Sequence, residues 1–246
     1  MPNITVAVIN ATTVLEDNTI SQAVPALQTQ VHRDFAPAWG VDADMVFVAK
    51  GSNPPAGAWW LTLLDTSDAA GALGYHDLTS EGLPLGKIFA GIDLQHGSPW
   101  TVTASHELLE MLADPDINLA AYVDKPGGGI TLYAYEICDA CEADEFGYMI
   151  DTTKVSDFVY PAWFESFRTA GSTRFDQQNR IKEPFQLLAG GYIGVYESPS
   201  GNGWTQLTAE RKGHRYSMRA PVGSRRERRR TPRAQWLRST ARSKKR

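Results

Sequence analysis

The first pattern in the chain is Ile4–Ile9, a run of β-branched residues that predicts a strand. From Asp17 to Phe35 the apolar residues Ile20, Ala23, Val24, Leu27 and Val31 recur at helical spacing, with Asp17, Asn18 or Thr19 available as a cap. Met45–Ala49 and Trp59–Leu64 read as two further strands, separated by the turn Ser52-Asn-Pro-Pro-Ala-Gly. Gly71 to Gly86 is loop-rich, and Lys87–Asp93 reads as a short edge strand. A helix opens at Ser98-Pro99-Trp100, with Ser98 as N-cap and Pro99 at the first helical position, where its missing N–H costs nothing. It runs to Asp114-Pro115, because proline disfavours helix at the residue before it. Ile130–Ile137 is strand-like, and Asp157–Phe167 is rich in aromatic residues that predict packing against the body. Tyr192–Tyr196 and Trp204–Thr208 flank Ser198-Pro-Ser-Gly-Asn-Gly, the pattern of a β-hairpin. No internal repeat is present.

The helix ending at Asp114 carries His106-Glu107-Leu108-Leu109-Glu110. His106 and Glu110 lie four residues apart and project from one helical face, so an imidazole and a carboxylate can share one divalent metal. Glu107 lies about 100° around the helix and can accept a proton from a metal-bound water, the logic of the H-E-x-x-H zinc site with Glu110 in place of the second histidine. Glu136 follows a strand-like segment and is the candidate third ligand; Asp139 competes for that place. A short edge strand before such a helix can present an extended peptide to it, because a sheet edge offers unpaired N–H and C=O groups.

On these residues the chain resembles the zincin metallopeptidases, both in element order and in the active-site helix. A downstream Glu is how the gluzincin branch supplies its third ligand. The chain also resembles a group of bacterial and phage-encoded proteins carrying S-H-E-x-x-E-x-x-x-D-P followed by E-x-x-D, matched by Ser105–Pro115 and Glu136–Asp139. The likeness spans roughly residues 1–165. It implies His106, Glu110 and Glu136 (or Asp139) as metal ligands, Glu107 as general base and a peptide substrate. Two carboxylates neutralise most of a dication's charge, so a bound water should have a pKa above the value of about 7 reached in strong zinc catalysts. A divalent metal, zinc foremost, is the expected cofactor, but such a site is expected to hydrolyse slowly, to prefer a harder metal or to bind metal only for structure, and an empty relic is the remaining alternative.

Other candidates carry simpler readings. Cys138 and Cys141 form a lone C-x-x-C; without a second pair or a βαβ setting it reads as two small buried thiols, ahead of a local disulfide or a contribution to the metal site. Asp139, Glu142, Asp144 and Glu145 lack calcium-loop spacing and read as a solvated acidic loop. His32 and His96 have no visible partner, and His76, before Asp77 in a loop, reads as a surface residue. Tyr133, Tyr135, Tyr148 and Tyr160 could stabilise an oxyanion, but packing is the simpler role. Ser105 adjoins His106, and adjacent helical side chains diverge, which excludes a serine triad.

Composition and charge then add a second theme. In 246 residues, 42% hydrophobic and 21% charged content excludes a wholly disordered chain, and two cysteines exclude a disulfide scaffold. No apolar run approaches the roughly 18 residues of a membrane span. The N-terminus shows no signal-peptide pattern, which predicts a cytoplasmic or virion-associated protein. Residues 211–246 hold 15 of the 24 Lys and Arg and one of the 28 acids, so this segment carries +14 and the preceding 210 residues −18. Such a tail cannot enter a core; it is expected to be disordered alone or ordered by a partner, which would be a polyanion, nucleic acid contacted at its phosphates, or an acidic protein surface.

The expected architecture is therefore α/β (α+β). A zincin-like domain with a mixed sheet and an active-site helix spans residues 1–185, followed by a β-hairpin extension (186–210) and the basic tail (211–246). A metal-dependent hydrolase, a peptidase foremost, is the leading function. The rivals are a structural or interaction protein of a phage particle or other assembly, built on an inactive zincin-like fold, and a non-specific nucleic-acid binder acting through the tail.

Overall fold

The computed structural model describes residues 4–68, 73–79, 81–198 and 203–209. The basic tail and the tip of the expected C-terminal turn lie outside the described residues. The chain forms a mixed α+β structure. Five strands make the principal sheet: β1 (Ile4–Asn10), β2 (Ala43–Val48), β3 (Trp59–Leu64), β4 (Gly74–Leu78) and β5 (Pro84–Phe89). Their order is β2-β1-β3-β5-β4, with β1, β2, β3 and β5 parallel and β4 antiparallel to β5.

Between β1 and β2 runs α1 (Asp17–Thr29), which continues through a π-helical stretch, Gln30–Phe35, into α2 (Ala36–Trp39). Ile20, Ala23 and Leu27 from α1, with Val31 and Phe35 beyond it, enter the same core as Val6 and Val8 of β1. After β5 come α3 (Ala90–His96) and α4 (Trp100–Ala113). Helix α4 starts one residue later than capping statistics suggest: Pro99 holds the extended position before it, and Ser98 makes no capping hydrogen bond. Its end is as expected. Asp114 turns its carboxylate onto the N–H groups of Asn118 and Leu119, at 3.0 Å each, and so stabilises the chain reversal.

One segment departs from the sequence expectation. Lys87–Asp93 is not an edge strand. Its first half belongs to β5, which lies inside the sheet between β3 and β4, and residues from Ala90 onward are helical. The interior position tolerates Lys87 because its ammonium finds Asp68 and, at 2.6 Å, the Tyr75 hydroxyl. The edge is β4, which falls in the stretch read as loop. Glycine is depleted in strands, and Gly74 masks the alternation.

A second, antiparallel sheet follows, order β11-β10-β7-β6, from β6 (Ala120–Asp124), β7 (Ile130–Ala134), β10 (Tyr192–Ser198) and β11 (Trp204–Thr208). The predicted pairing of the last two strands is present, and β10 also joins β7. A small hairpin, β8 (Tyr148–Ile150) and β9 (Thr153–Val155), packs on α4. The aromatic segment folds back as expected: Phe158 and Trp163 are fully buried, although Phe167 is 75% exposed. Helix α4 is thereby enclosed, with every residue from Val102 to Leu112 buried. No helix among the described residues is long and apolar enough to cross a membrane.

Candidate metal centre

The ionisable residues of α4, His106, Glu107 and Glu110, lie within its buried stretch and must find partners inside the protein. Helical periodicity places His106 and Glu110 on the same side, and His106 Nε2 lies 3.3 Å from Glu110 Oε1. The same nitrogen lies 3.2 Å from Asp139 Oδ1, brought in by a single helical turn, Asp139–Cys141. Glu110 Oε1 also accepts a hydrogen bond from the Cys138 backbone N–H at 3.1 Å, which ties the helix to that turn.

Glu107, one position round the helix, faces β4 and packs beside Gly74. A Cβ at Gly74 would fall 2.8 Å from Glu107 Cγ and Oε1, and one at Gly86 would fall 3.5 Å from Glu107 Cβ. The absence of a side chain at Gly74 thus leaves the space that the Glu107 side chain occupies, whereas at Gly86 the close neighbour would be Leu61, at 2.8 Å.

His76 completes the arrangement, and the sequence reading missed it. It is not a surface residue: it sits on β4 opposite Gly86, and only 7% of it is exposed. Its Nδ1 lies 3.5 Å from Glu110 Oε2 and 3.6 Å from Glu107 Oε2. Its Nε2 lies 3.5 Å from Glu136 Oε2. The available signal was weak: in Gly74-Tyr75-His76-Asp77-Leu78 the alternate positions share one face of a strand, but only pairing with β5 shows which face is buried.

Glu136 and Asp139 are therefore not competitors for one position. Asp139 stands beside His106 and Glu136 beside His76, while Glu110 presents one oxygen to each histidine. His76, Glu110 and Glu136 form one group that could hold a metal ion; His106, Glu110 and Asp139 form another. The spacing suits this chemistry. Donor atoms about 2.0–2.1 Å from a tetrahedral zinc lie roughly 3.3 Å from one another.

Electrostatics reinforce the geometry. Burial alone would lower the pKa of both imidazoles, but the carboxylates outweigh it and raise both well above the ordinary histidine value. For His76 the charge of Glu136 is the largest opposing effect, and for His106 that of Glu110. Burial would raise Glu110, but His106 and His76 hold it below the usual carboxylate range.

The remaining candidates fall into structural roles. Cys138 and Cys141 are buried free thiols, and burial pushes both pKa values up. Asp139 leaves the expected solvated acidic loop for the interior, whereas Glu145 is exposed and Glu142 and Asp144 are half-buried. His32 pairs at the surface with Asp42 and Gln28, and His96 is exposed. Tyr148 donates to Asp34 at 2.7 Å and Tyr160 to Gln177 at 2.6 Å, while Tyr133 stacks on Phe185 and Tyr135 on Phe164. Ser105 Oγ accepts the Ser156 N–H at 2.5 Å and so fastens α4 to the chain after β9.

Comparison with protein-family models, with curated proteins and with solved structures finds no significant match to this chain.

Proposed function

We propose that the chain is a metal-dependent hydrolase with a zincin-like site, acting on peptides. The observation that carries this reading is the approach of two carboxylates to one buried imidazole nitrogen: Glu110 and Asp139 lie 3.3 and 3.2 Å from His106 Nε2. These three would hold the cation; one imidazole and two carboxylates form a donor set that zinc accepts and that harder cations such as manganese share. When bound, the metal would polarise a scissile carbonyl and acidify a water.

Glu107 is the general base of this scheme: its carboxylate takes the proton from the attacking water and returns it to the leaving amine. Gly74 leaves the room that the Glu107 side chain needs against the sheet. An extended substrate would align along β4, the last strand in the described sheet order, where outward backbone groups can pair with a peptide. This replaces Lys87–Asp93 as the expected track. With two carboxylates on the cation, turnover should be slow.

The test is cleavage of a peptide library by zinc-loaded protein. Wild type should cleave it, and Glu107→Gln should retain metal but lose cleavage. Cleavage unchanged in that variant would overturn the assignment.

Burial of the site favours a second reading. His106, Glu107, Glu110 and Asp139 are each at most 6% exposed, and closed sites are the rule for structural metals. In that reading the chain is an interaction protein of an assembly. It predicts bound metal, no cleavage, and unfolding on chelation.

A further inference from the structure

Glu110 is placed to serve two cations. Its Oε1 faces His106 at 3.3 Å and its Oε2 faces His76 at 3.5 Å, and each histidine has its own second carboxylate, Asp139 or Glu136. A carboxylate that presents one oxygen to each of two ligand sets is the arrangement of two-metal hydrolytic centres, whose ions lie about 3.5–4 Å apart.

Two further observations point to a ligand at the His76 side. The His76 side chain is 6% exposed, and its Nε2 is buried without a hydrogen-bond partner while aimed at Glu136. A buried imidazole nitrogen left in that state is costly unless something binds it. The charge count agrees. The cluster holds four carboxylates, from Glu107, Glu110, Glu136 and Asp139, against two imidazoles. One dication at His106 leaves a net charge of −2 with His76 neutral and −1 with it protonated, whereas two dications bring the cluster to neutrality, the state a buried site favours.

We infer that the protein binds a second divalent cation at His76, Glu110 and Glu136, so that the centre is dinuclear with the Glu110 carboxylate as the bridge. This rests on the hydrolase reading only for the first cation. The second site draws its two remaining ligands from different elements, the edge strand and the segment after β7. His76 is then a metal ligand, and the edge strand is part of the centre as well as a track for substrate.

The full-length protein, stripped with chelator and reloaded with zinc or manganese, decides the matter by metal analysis after desalting. Wild type should hold two equivalents, and its manganese form should give an exchange-coupled paramagnetic resonance signal. His76→Asn and Glu136→Gln should each hold one equivalent and lose the coupling. Because His76→Asn could disturb β4, its circular dichroism is compared with wild type, and Glu136→Gln tests the site without touching the sheet. One equivalent in wild type, kept in both variants and lost in His106→Ala, would overturn the second site and leave the first intact. Two uncoupled equivalents retained by both variants would also overturn it. No metal in wild type would overturn both.

Discussion

Gly74 and Glu107 meet across the sheet–helix interface so closely that a Cβ on residue 74 would sit 2.8 Å from the Glu107 side chain and 2.9 Å from the Lys87 carbonyl oxygen. The first neighbour is a side chain and can shift; the second is backbone in the paired strand and cannot. Gly74→Ala is therefore expected to lower stability by about 1–3 kcal/mol, the usual cost of overpacking. It should also displace Glu107 and reduce any hydrolytic activity more than metal content. Urea denaturation alongside metal analysis checks both.

Zinc should stabilise the folded protein by binding a site that the unfolded chain lacks. At free zinc 100-fold above the Kd, linkage contributes about 2.7 kcal/mol per site. The thermal midpoint should rise with zinc and fall back on chelation, and Asp139→Asn should weaken the response. A midpoint indifferent to zinc in wild type would contradict a metal at His106.

The buried pair Asp157 and Asp176 predicts a pH dependence away from the metal centre. Burial, followed by the neighbouring Asp176 charge and hydrogen bond, raises Asp157 to about 8. Between pH about 4 and about 8 the unfolded chain has released this proton and the folded chain retains it. Stability should fall as pH rises through that window, by up to about 1.4 kcal/mol per unit for one proton, and level off above it. Asp157→Asn keeps an acceptor for the N–H groups of Phe158 and Gln178 and should remove the slope. Its advantage over wild type should be large at pH 8 and absent at pH 4 in equilibrium unfolding.

Ser105 accepts the only hydrogen bond described for the Ser156 N–H, in a fully buried setting. Ser105→Ala should cost about 1–3 kcal/mol, the penalty of a stranded buried donor. The loss should appear in thermal unfolding with the zinc stoichiometry unchanged.

Lys87 is buried, and burial lowers its pKa despite the opposing charge of Asp68. Asp68→Ala leaves the ammonium in place without that carboxylate and should destabilise by about 1–3 kcal/mol. Lys87→Met removes the charge with similar volume and should lie within about 1 kcal/mol of wild type. Chemical denaturation of the two variants, compared directly, tests the asymmetry.

What the sequence determined by itself follows from local geometry. The four-residue spacing of His106 and Glu110 places them on one face of any helix, and Asp114-Pro115 ends that helix wherever it packs. The apolar spacing of α1, the strands β1 to β3 and the closing pair β10–β11 are legible for the same reason: each rests on contacts or periodicities within a few residues. The interior of the site was decided elsewhere. His76 enters only because β4 pairs with β5 in the register that sets it opposite Gly86, and a slip of one residue would turn it to the other face. Whether Glu136 or Asp139 approaches His106 depends on the bend that leads from β7 into the single helical turn Asp139–Cys141, and Lys87 is interior only because a further strand adds outside it. Such pairings join segments distant in the chain, and their free energy lies in packing that no local window of sequence contains.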